Sequence, residues 1–502
     1  MKEYNFHLLT EKIIDKSKIP FNHGQLHKYM IFMKPKLFTL VCLLLIGATA
    51  YSQTTTFDLE QCMAYAVENE ASSVNATLDE EIAALSVKET VGIGLPQVNG
   101  SVTAQHNPTL PRFFSQYSPG AGFGITEEDA QSLGIQEGDV FGAENFFQLK
   151  SNGDMNLSVS QLIFNGSYIV GLQASRTYKE LSRKQKDYTQ SELKAAVAKA
   201  YFNVLINEER LVLYISNLDR IRTLHEETQA LYESGFAEKI EVDRLKVTLN
   251  NAETQKSNYE DLSELSLQLL KFQMNYPLDD PLELEGSISD FINGEVQSIP
   301  QEYDLINRHD YQTLVVNKEL QELNLKNLYA GGLPVLQAFG TLGASTQSPT
   351  FVGLFRTESN FGEVSGVGPD KWYRYSAVGL SLNWSLFTGL QRNYQIQQQK
   401  VEIKKLENSL AQFEERVQVE VEQQGILLKN ANKNLKVQQE NMELAQNIFD
   451  ISEIKYKEGV GSSLEVVNAD NELKQAQTNF FNALFDAVIA KIDLTRAIGK
   501  RD

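Results

Sequence analysis

Basic charge is scarce in this chain, with 46 Lys and Arg against 65 Asp and Glu and a formal net charge of −19. Binding nucleic acid needs a positive surface to meet the phosphates, so that class of partner is excluded. Cysteine is nearly absent. Cys42 lies in an apolar run and Cys62 stands alone, so neither a disulfide framework nor a cysteine zinc site assembles within one chain. Histidine is scarce too: His106, His225 and His309 fall in separate segments, none with a ligand-spaced partner. No Gly-rich loop follows a strand and opens a helix with a Lys, so a phosphate cradle is missing. These gaps point away from an enzyme, a metal site or a cofactor. Beyond the N-terminal region no apolar run reaches the ~20 residues that a spanning helix needs. A chain of this kind enters a membrane only with strands.

Proline is the last scarcity, and its distribution is informative. None of the 12 Pro falls within 166–276 or 390–499. The second of these stretches repeats the first. Tyr456-Lys457-Glu458-Gly459 is followed by Glu465-Val466, Leu473, Ala476, Thr478, Asn482 and Leu494. Tyr232-Glu233-Ser234-Gly235 is followed by Glu241-Val242, Leu249, Ala252, Thr254, Asn258 and Leu270 at the same spacing. A constant offset over so many positions marks internal duplication. Upstream of the second glycine, Phe413, Val421, Leu428, Leu435, Met442, Phe449 and Tyr456 recur about every seven residues, with Leu410, Val417, Ala431 and Ala445 between them, a period close to 3.5 and the seam of a coiled coil. Each copy therefore predicts a very long helix, a glycine turn and a shorter helix running back.

Residues 1–32 form no convincing element and read as a non-native N-terminal extension. From Met33 the pattern is that of a secretory signal over 33–52, with Lys34 and Lys36, apolar Leu37–Gly47, then Ala48 and Ala50. The first repeat spans 53–276. It begins with a helix over Phe57–Thr90, stopped by Gly92, Gly94 and Pro96. Period-two alternation predicts strands at about 95–106 and 154–165, separated by a long Gly-, Pro- and aromatic-rich loop with acidic patches. A linker covers 277–302. The second repeat, 303–499, retraces the plan with a helix over Tyr303–Leu328 and strands at about 334–345 and 376–387.

Helices of ~65 residues would extend roughly 95 Å, so they must lie side by side in an elongated array. Strands of about ten residues match the 9–11 that cross a bilayer at a tilt. One set of their side chains is small and polar and the other is Val, Leu, Ala and Trp, the arrangement of a water-filled barrel in lipid. Four strands cannot close a barrel, and lipid tolerates no open edge. Two chains would give eight strands with a filled interior; three give twelve and a passable lumen, the better fit. The rival reading is a secreted or periplasmic coiled-coil scaffold that never enters lipid.

This plan resembles the TolC family of trimeric outer-membrane channel proteins from Phe57 to Gly499. The resemblance rests on Phe57-Asp58-Leu59-Glu60-Gln61-Cys62 with Ala66, on Gly94-Leu95-Pro96-Gln97 and Gly332-Leu333-Pro334 before strands, on the Phe-x-Gly exits at Phe164 and Phe387, and on Tyr-x-x-Gly at both turns. It implies a mainly α chain with transmembrane β. Duplicated units of strands and long helical hairpins would form a trimeric 12-stranded β-barrel continuous with a periplasmic α-helical barrel. It also implies the outer membrane of a Gram-negative bacterium, contact with its lipid, and a passive exit duct for small molecules or polypeptides. The partners implied are a periplasmic adaptor and an inner-membrane pump of RND or ABC type. In that family acidic residues constrict the periplasmic end just after the second turn. The matching positions here are Glu465 and Asn468, three apart on one helix face, so this chain keeps one carboxylate where the family often has two. Glu465 is equally suited to the helix dipole near an N-terminus, and both roles can coexist. Gly235 and Gly459 mark turns that, by the same resemblance, meet the adaptor.

Overall fold

The computed structural model describes residues 55–120, 124–145, 147–286, 288, 304–355, 358–360 and 371–499. The expected extension at 1–32, the signal segment and most of the 277–302 linker lie outside the described residues. Strands β1 (Thr55–Phe57) and β6 (Leu282–Leu284) pair in parallel and make a small unit of their own. The described residues of 58–278 and from 286 onward belong to a second unit.

That unit opens with α1 (Leu59–Asn69) and α2 (Ala71–Ile93), where periodicity predicts one continuous helix. The break falls at Glu70, whose backbone is extended at ψ 137°. Its carboxylate accepts from the backbone of Ser72 at 2.8 Å and of Ser73 at 3.2 Å, so it caps a new helix. No Pro or Gly marks the place, and an apolar period cannot register a break made by a cap. The start of α1 is fixed reciprocally by Asp58 and Gln61, a capping box.

Strand β2 (Gln97–His106) pairs antiparallel with β5 (Ser151–Phe164). The intervening stretch, expected as an irregular loop, carries β3 (Phe113–Gln116), α3 (Glu127–Ser132) and β4 (Val140–Ala143). Tyr117, Ala130 and Phe141 form its own small core, with Ile125 and Ile135 against them. Helices α4 (Gly166–Glu233) and α5 (Lys239–Met274) make the first hairpin. After a 3-10 turn, α6 (His309–Ala330) leads to β7 (Val335–Ser348), β8 (Glu358–Asn360) and β9 (Lys371–Asn383). The second hairpin is α7 (Gln391–Lys457) with α8 (Ser463–Ala497). At 68 and 67 residues, α4 and α7 are each roughly 100 Å long.

The main sheet runs in the order β2-β5-β7-β9-β8 and is open at both edges. The last long strand sits earlier than the 376–387 that alternation predicts. Its partner β7 begins at Val335, which pairs with Asn383, so Trp384 onward has no ladder to join. Trp384 instead donates its indole N–H to the Gly332 carbonyl at 3.1 Å. Among the described residues, no helix is long and apolar enough to cross a membrane.

The hairpins are joined by one apolar core drawn from four helices. It contains Leu218, Ile221 and Leu224 of α4, Leu245 and Leu249 of α5, Phe449 of α7, and Val466 and Leu473 of α8. The heptad seam read along 413–456 is the buried face of α7, at Phe413, Val421, Leu428, Leu435 and Phe449. Toward the sheet end, Phe413, Val417 and Val421 pack with Ala497 and Tyr311. Arg308, almost fully buried, ties this region together. Its guanidinium donates to Asp310 at 2.7 Å, to Glu420 at 3.1 Å and to the Ala497 carbonyl at 2.8 Å. Burial opposes the charge on Asp310, but the hydrogen bonds and charge of Arg308 outweigh it and hold that carboxyl below the usual range.

Candidate functional site: the hairpin tips and the sheet face

The two glycine turns share one backbone construction. After α4, Phe236 N–H donates to Leu231 O at 2.8 Å and Gly235 N–H to Tyr232 O at 3.0 Å. After α7, Val460 N–H donates to Lys455 O and Gly459 N–H to Tyr456 O, both at 3.0 Å. This pair of bonds is a Schellman stop, which needs a left-handed residue just past the helix. Gly235 supplies it at φ 82° and Gly459 at φ 73°. A Cβ at either glycine would meet nothing within 4 Å, so the demand is on the backbone alone. The residue after each glycine is apolar and left outside: Phe236 is 83% exposed and Val460 79%.

Glu465 and Asn468 lie on the first turns of α8, both exposed, just beyond the second turn. Ser462 caps this helix by accepting from Glu465 N–H at 3.3 Å. The Glu465 carboxylate makes no hydrogen bond or ion pair with the described residues, so it stands free near a helix N-terminus. Its counterpart in the first repeat, Glu241, lies near the Tyr456 hydroxyl of the other hairpin, which is 3.1 Å from Thr228. Burial, opposed by the Thr228 hydrogen bond and reinforced by the Glu241 carboxylate, pushes the Tyr456 phenol above its ordinary range. Lys457 adds an ion pair to Glu227 at 3.2 Å. The two tips are thus side by side and tied through Tyr456, while the equivalent Tyr232 is 40% exposed. Duplicated sequence carries no sign of this inequality, because the same Tyr and Glu occur in both copies.

Behind the tips a polar strip crosses the apolar core. Asn217 donates to Gln477 at 2.7 Å, both almost fully buried, and Arg220 donates to Asn217. Arg220 lies over the Phe449 ring at 4.8 Å and 3.7 Å from Asp450. Asp470, 1% exposed, is paired with Lys474 at 2.7 Å. Burial pushes the Asp470 carboxyl up, against the pull of Lys474 and Arg220. Single polar residues of this kind inside a heptad look like solvated positions in sequence, and they were not among the expected site residues. The Asn217–Gln477 bond across the core favours one register between the hairpins.

The sheet has two unlike faces. Pairing puts Val98, Val159 and Gly340 opposite one another, and likewise Leu157 with Leu342 and Ala338 with Leu380. On the other face Asn99, Ser158 and Thr341 align, as do Gln337 and Ser381. The apolar face is bare, with Val102 80%, Val378 89% and Leu380 71% exposed. Such a surface is not stable in water and calls for lipid. Among the described residues no group of His, Cys, Asp and Glu could hold a metal ion.

A sheet with one lipid-type face and one polar face, continuous with paired helical hairpins, defines the class of membrane channel subunits built from strands and helices. The chain belongs to the outer membrane efflux protein family, whose profile matches residues 120–272 and 339–500. It is an exit duct of tripartite efflux, placed in the Gram-negative outer membrane and extending into the periplasm. The fold is similar to the CmeC outer membrane channel of Campylobacter jejuni, with TM-score 0.63 and 15% identity over 88% of this chain and 87% of that one. It is also similar to the outer membrane protein VceC of Vibrio cholerae (TM-score 0.61, 14% identity, 88% and 96% covered). The open-state MtrE outer membrane channel of Neisseria gonorrhoeae matches with TM-score 0.60 and 17% identity, over 88% of each chain. No curated protein sequence matches the chain. Relatives of this family are channels rather than enzymes.

Proposed function

We propose that three copies of the chain close a 12-stranded barrel through lipid and continue as a periplasmic tunnel of helices. One observation carries this reading. Each chain ends its sheet on unpaired edges: β2 on one side, and on the other β9, which meets β8 only at Lys371–Tyr373. An unpaired edge in lipid costs several kcal/mol per orphaned backbone group, so the edges must pair between copies. Three chains give an even count of long strands and a lumen wide enough to pass solutes.

In this assembly the polar faces line the lumen and the hairpin tips form the periplasmic entrance. Glu465 and Asn468 of each copy face the entrance, one carboxylate and one amide per chain, and the ring biases passage toward cations. The turns at Gly235 and Gly459 offer exposed Phe236 and Val460 to a periplasmic adaptor, which connects the duct to an inner-membrane pump. Transport through the duct is passive and the pump supplies the energy. Native mass measurement of the detergent-solubilised protein should give three copies. A stable monomer, or recovery in the soluble periplasmic fraction, would refute the reading.

A further inference from the structure

The polar face of the sheet is almost uncharged. Along it run Gln97, Asn99, Ser101 and Thr103 of β2, Asn156 and Ser158 of β5, Gln337 and Thr341 of β7, and Ser381 of β9. Among the side chains described there, Asp154 is the single charged one. It sits near the start of β5, at the end of the sheet away from the helices, about 30 Å along the strand from Phe164.

Asp154 is held rather than loose. The Tyr375 hydroxyl donates to Oδ2 at 2.8 Å and the Asn156 amide donates to Oδ1 at 2.8 Å. Tyr375 belongs to β9 and Asp154 to β5, so the bond passes over the strand between them. It passes at Gly343, the β7 residue paired with both Asn156 and Tyr375. A Cβ at Gly343 would lie 2.7 Å from Tyr375 Cζ, so only glycine leaves the ring its path. Four residues back along β7, Phe339 lies over Gly379 of β9 in the same manner, with a Cβ there 2.7 Å from the ring. The result is a fixed carboxylate on an aromatic shelf of the polar face. Arg374 is next to Tyr375 in sequence but belongs to the opposite face, whereas the register puts Lys371 of β9 on the same face as Tyr375, paired with Glu358 of β8.

We propose that Asp154 is a charge filter at the outer mouth of the lumen, favouring cations and cationic cargo and holding back anions. The inference rests on the barrel reading above, which turns the polar face inward and sets three copies of Asp154 around one axis. Like charges fixed in a narrow polar passage focus a negative potential that concentrates cations. Tyr375 and Asn156 are positioning residues: they fix the carboxylate and bring no charge. Glu465 acts at the tips, so the chain would carry one acidic ring at each end of the duct.

The test uses the full-chain oligomer in planar bilayers under a KCl gradient, in a Glu465→Gln background so that the tip acid does not mask the effect. Asp154→Asn keeps the shape and removes the charge. It should lower the potassium-to-chloride permeability ratio by about two-fold or more at ~0.1 M salt, and the difference should fade near 1 M, where the screening length is ~3 Å. Asp154→Cys gives an independent measurement. A negatively charged methanethiosulfonate should restore the cation preference and a positively charged one should invert it. The buried Cys62, its thiol pushed up to about 12 by burial and by Asp58, is a poor competitor for the reagent. A conducting channel whose ion preference is untouched by Asp154→Asn, and by either reagent on Asp154→Cys, overturns the filter and leaves the barrel standing. A wild-type protein that inserts and conducts nothing overturns the barrel reading, and the filter with it.

Discussion

Replacing Tyr456 with Phe removes one oxygen atom from the point where the two hairpin tips are tied. The hydroxyl hydrogen-bonds Thr228 of the first hairpin at 3.1 Å and lies beside the Glu241 carboxylate. A neutral hydrogen bond contributes about 0.5–1.5 kcal/mol. Its loss is a factor of about 2–13 in an equilibrium between tied and parted tips. The core beneath, with Leu245, Val466 and Leu473 fully buried, is untouched by the substitution. Single-channel recording should therefore find Tyr456→Phe in its larger conducting state about 2–13 times as often as the wild type, with assembly unchanged. A double-mutant cycle with Thr228→Val should show coupling, because both changes break the same bond. Tyr232→Phe, at the exposed twin position, should do nothing. Equal behaviour of Tyr456→Phe and Tyr232→Phe would refute the argument.

Glu465 at the entrance and Glu241 beside Tyr456 predict different failures. Glu465→Gln should reduce cation preference at the entrance, while Glu241→Gln should leave preference intact; identical reversal potentials for all three proteins would sink the entrance ring. At the second turn, a left-handed non-Gly residue costs roughly 1–2 kcal/mol, and Asn bears it best. Gly459→Val should then impair drug resistance or secretion by intact cells without loss from the outer membrane, whereas Gly459→Asn should nearly preserve it; full activity of the Val variant would speak against docking there. Asp310 has its carboxyl held below the usual range, so its share of stability is complete above the unfolded value near about pH 3.9 and is lost as pH falls further. Thermal melts followed by circular dichroism between about pH 6 and about pH 3 should show a smaller acid-induced drop for Asp310→Asn, already destabilised at neutral pH, than for the wild type. An equal drop in both would exclude this pair as the acid-sensitive contact.

Duplication, hairpin turns and the coiled-coil seam were legible in the sequence because each is a local or periodic property. The Schellman stops need a left-handed residue, and Gly235 and Gly459 announce it. Heptad spacing survives in the string of letters, and Phe413, Val421, Leu428 and Phe449 are indeed buried. Strand alternation likewise exposed two unlike faces. What the letters could not hold is anything that depends on a partner far along the chain. The break at Glu70 is made by a side chain capping Ser72 and Ser73, invisible to an apolar period. Tyr232 and Tyr456 are twins in sequence, yet only Tyr456 meets a Thr and a Glu from the other hairpin. Strand β9 ends at Asn383 because β7 begins at Val335, a matter of register between strands. Tyr375 reaches Asp154 only because that register puts Gly343 under its ring. Periodicity sets which face of an element is apolar; packing between distant elements sets which identical residues are bonded and which stand free.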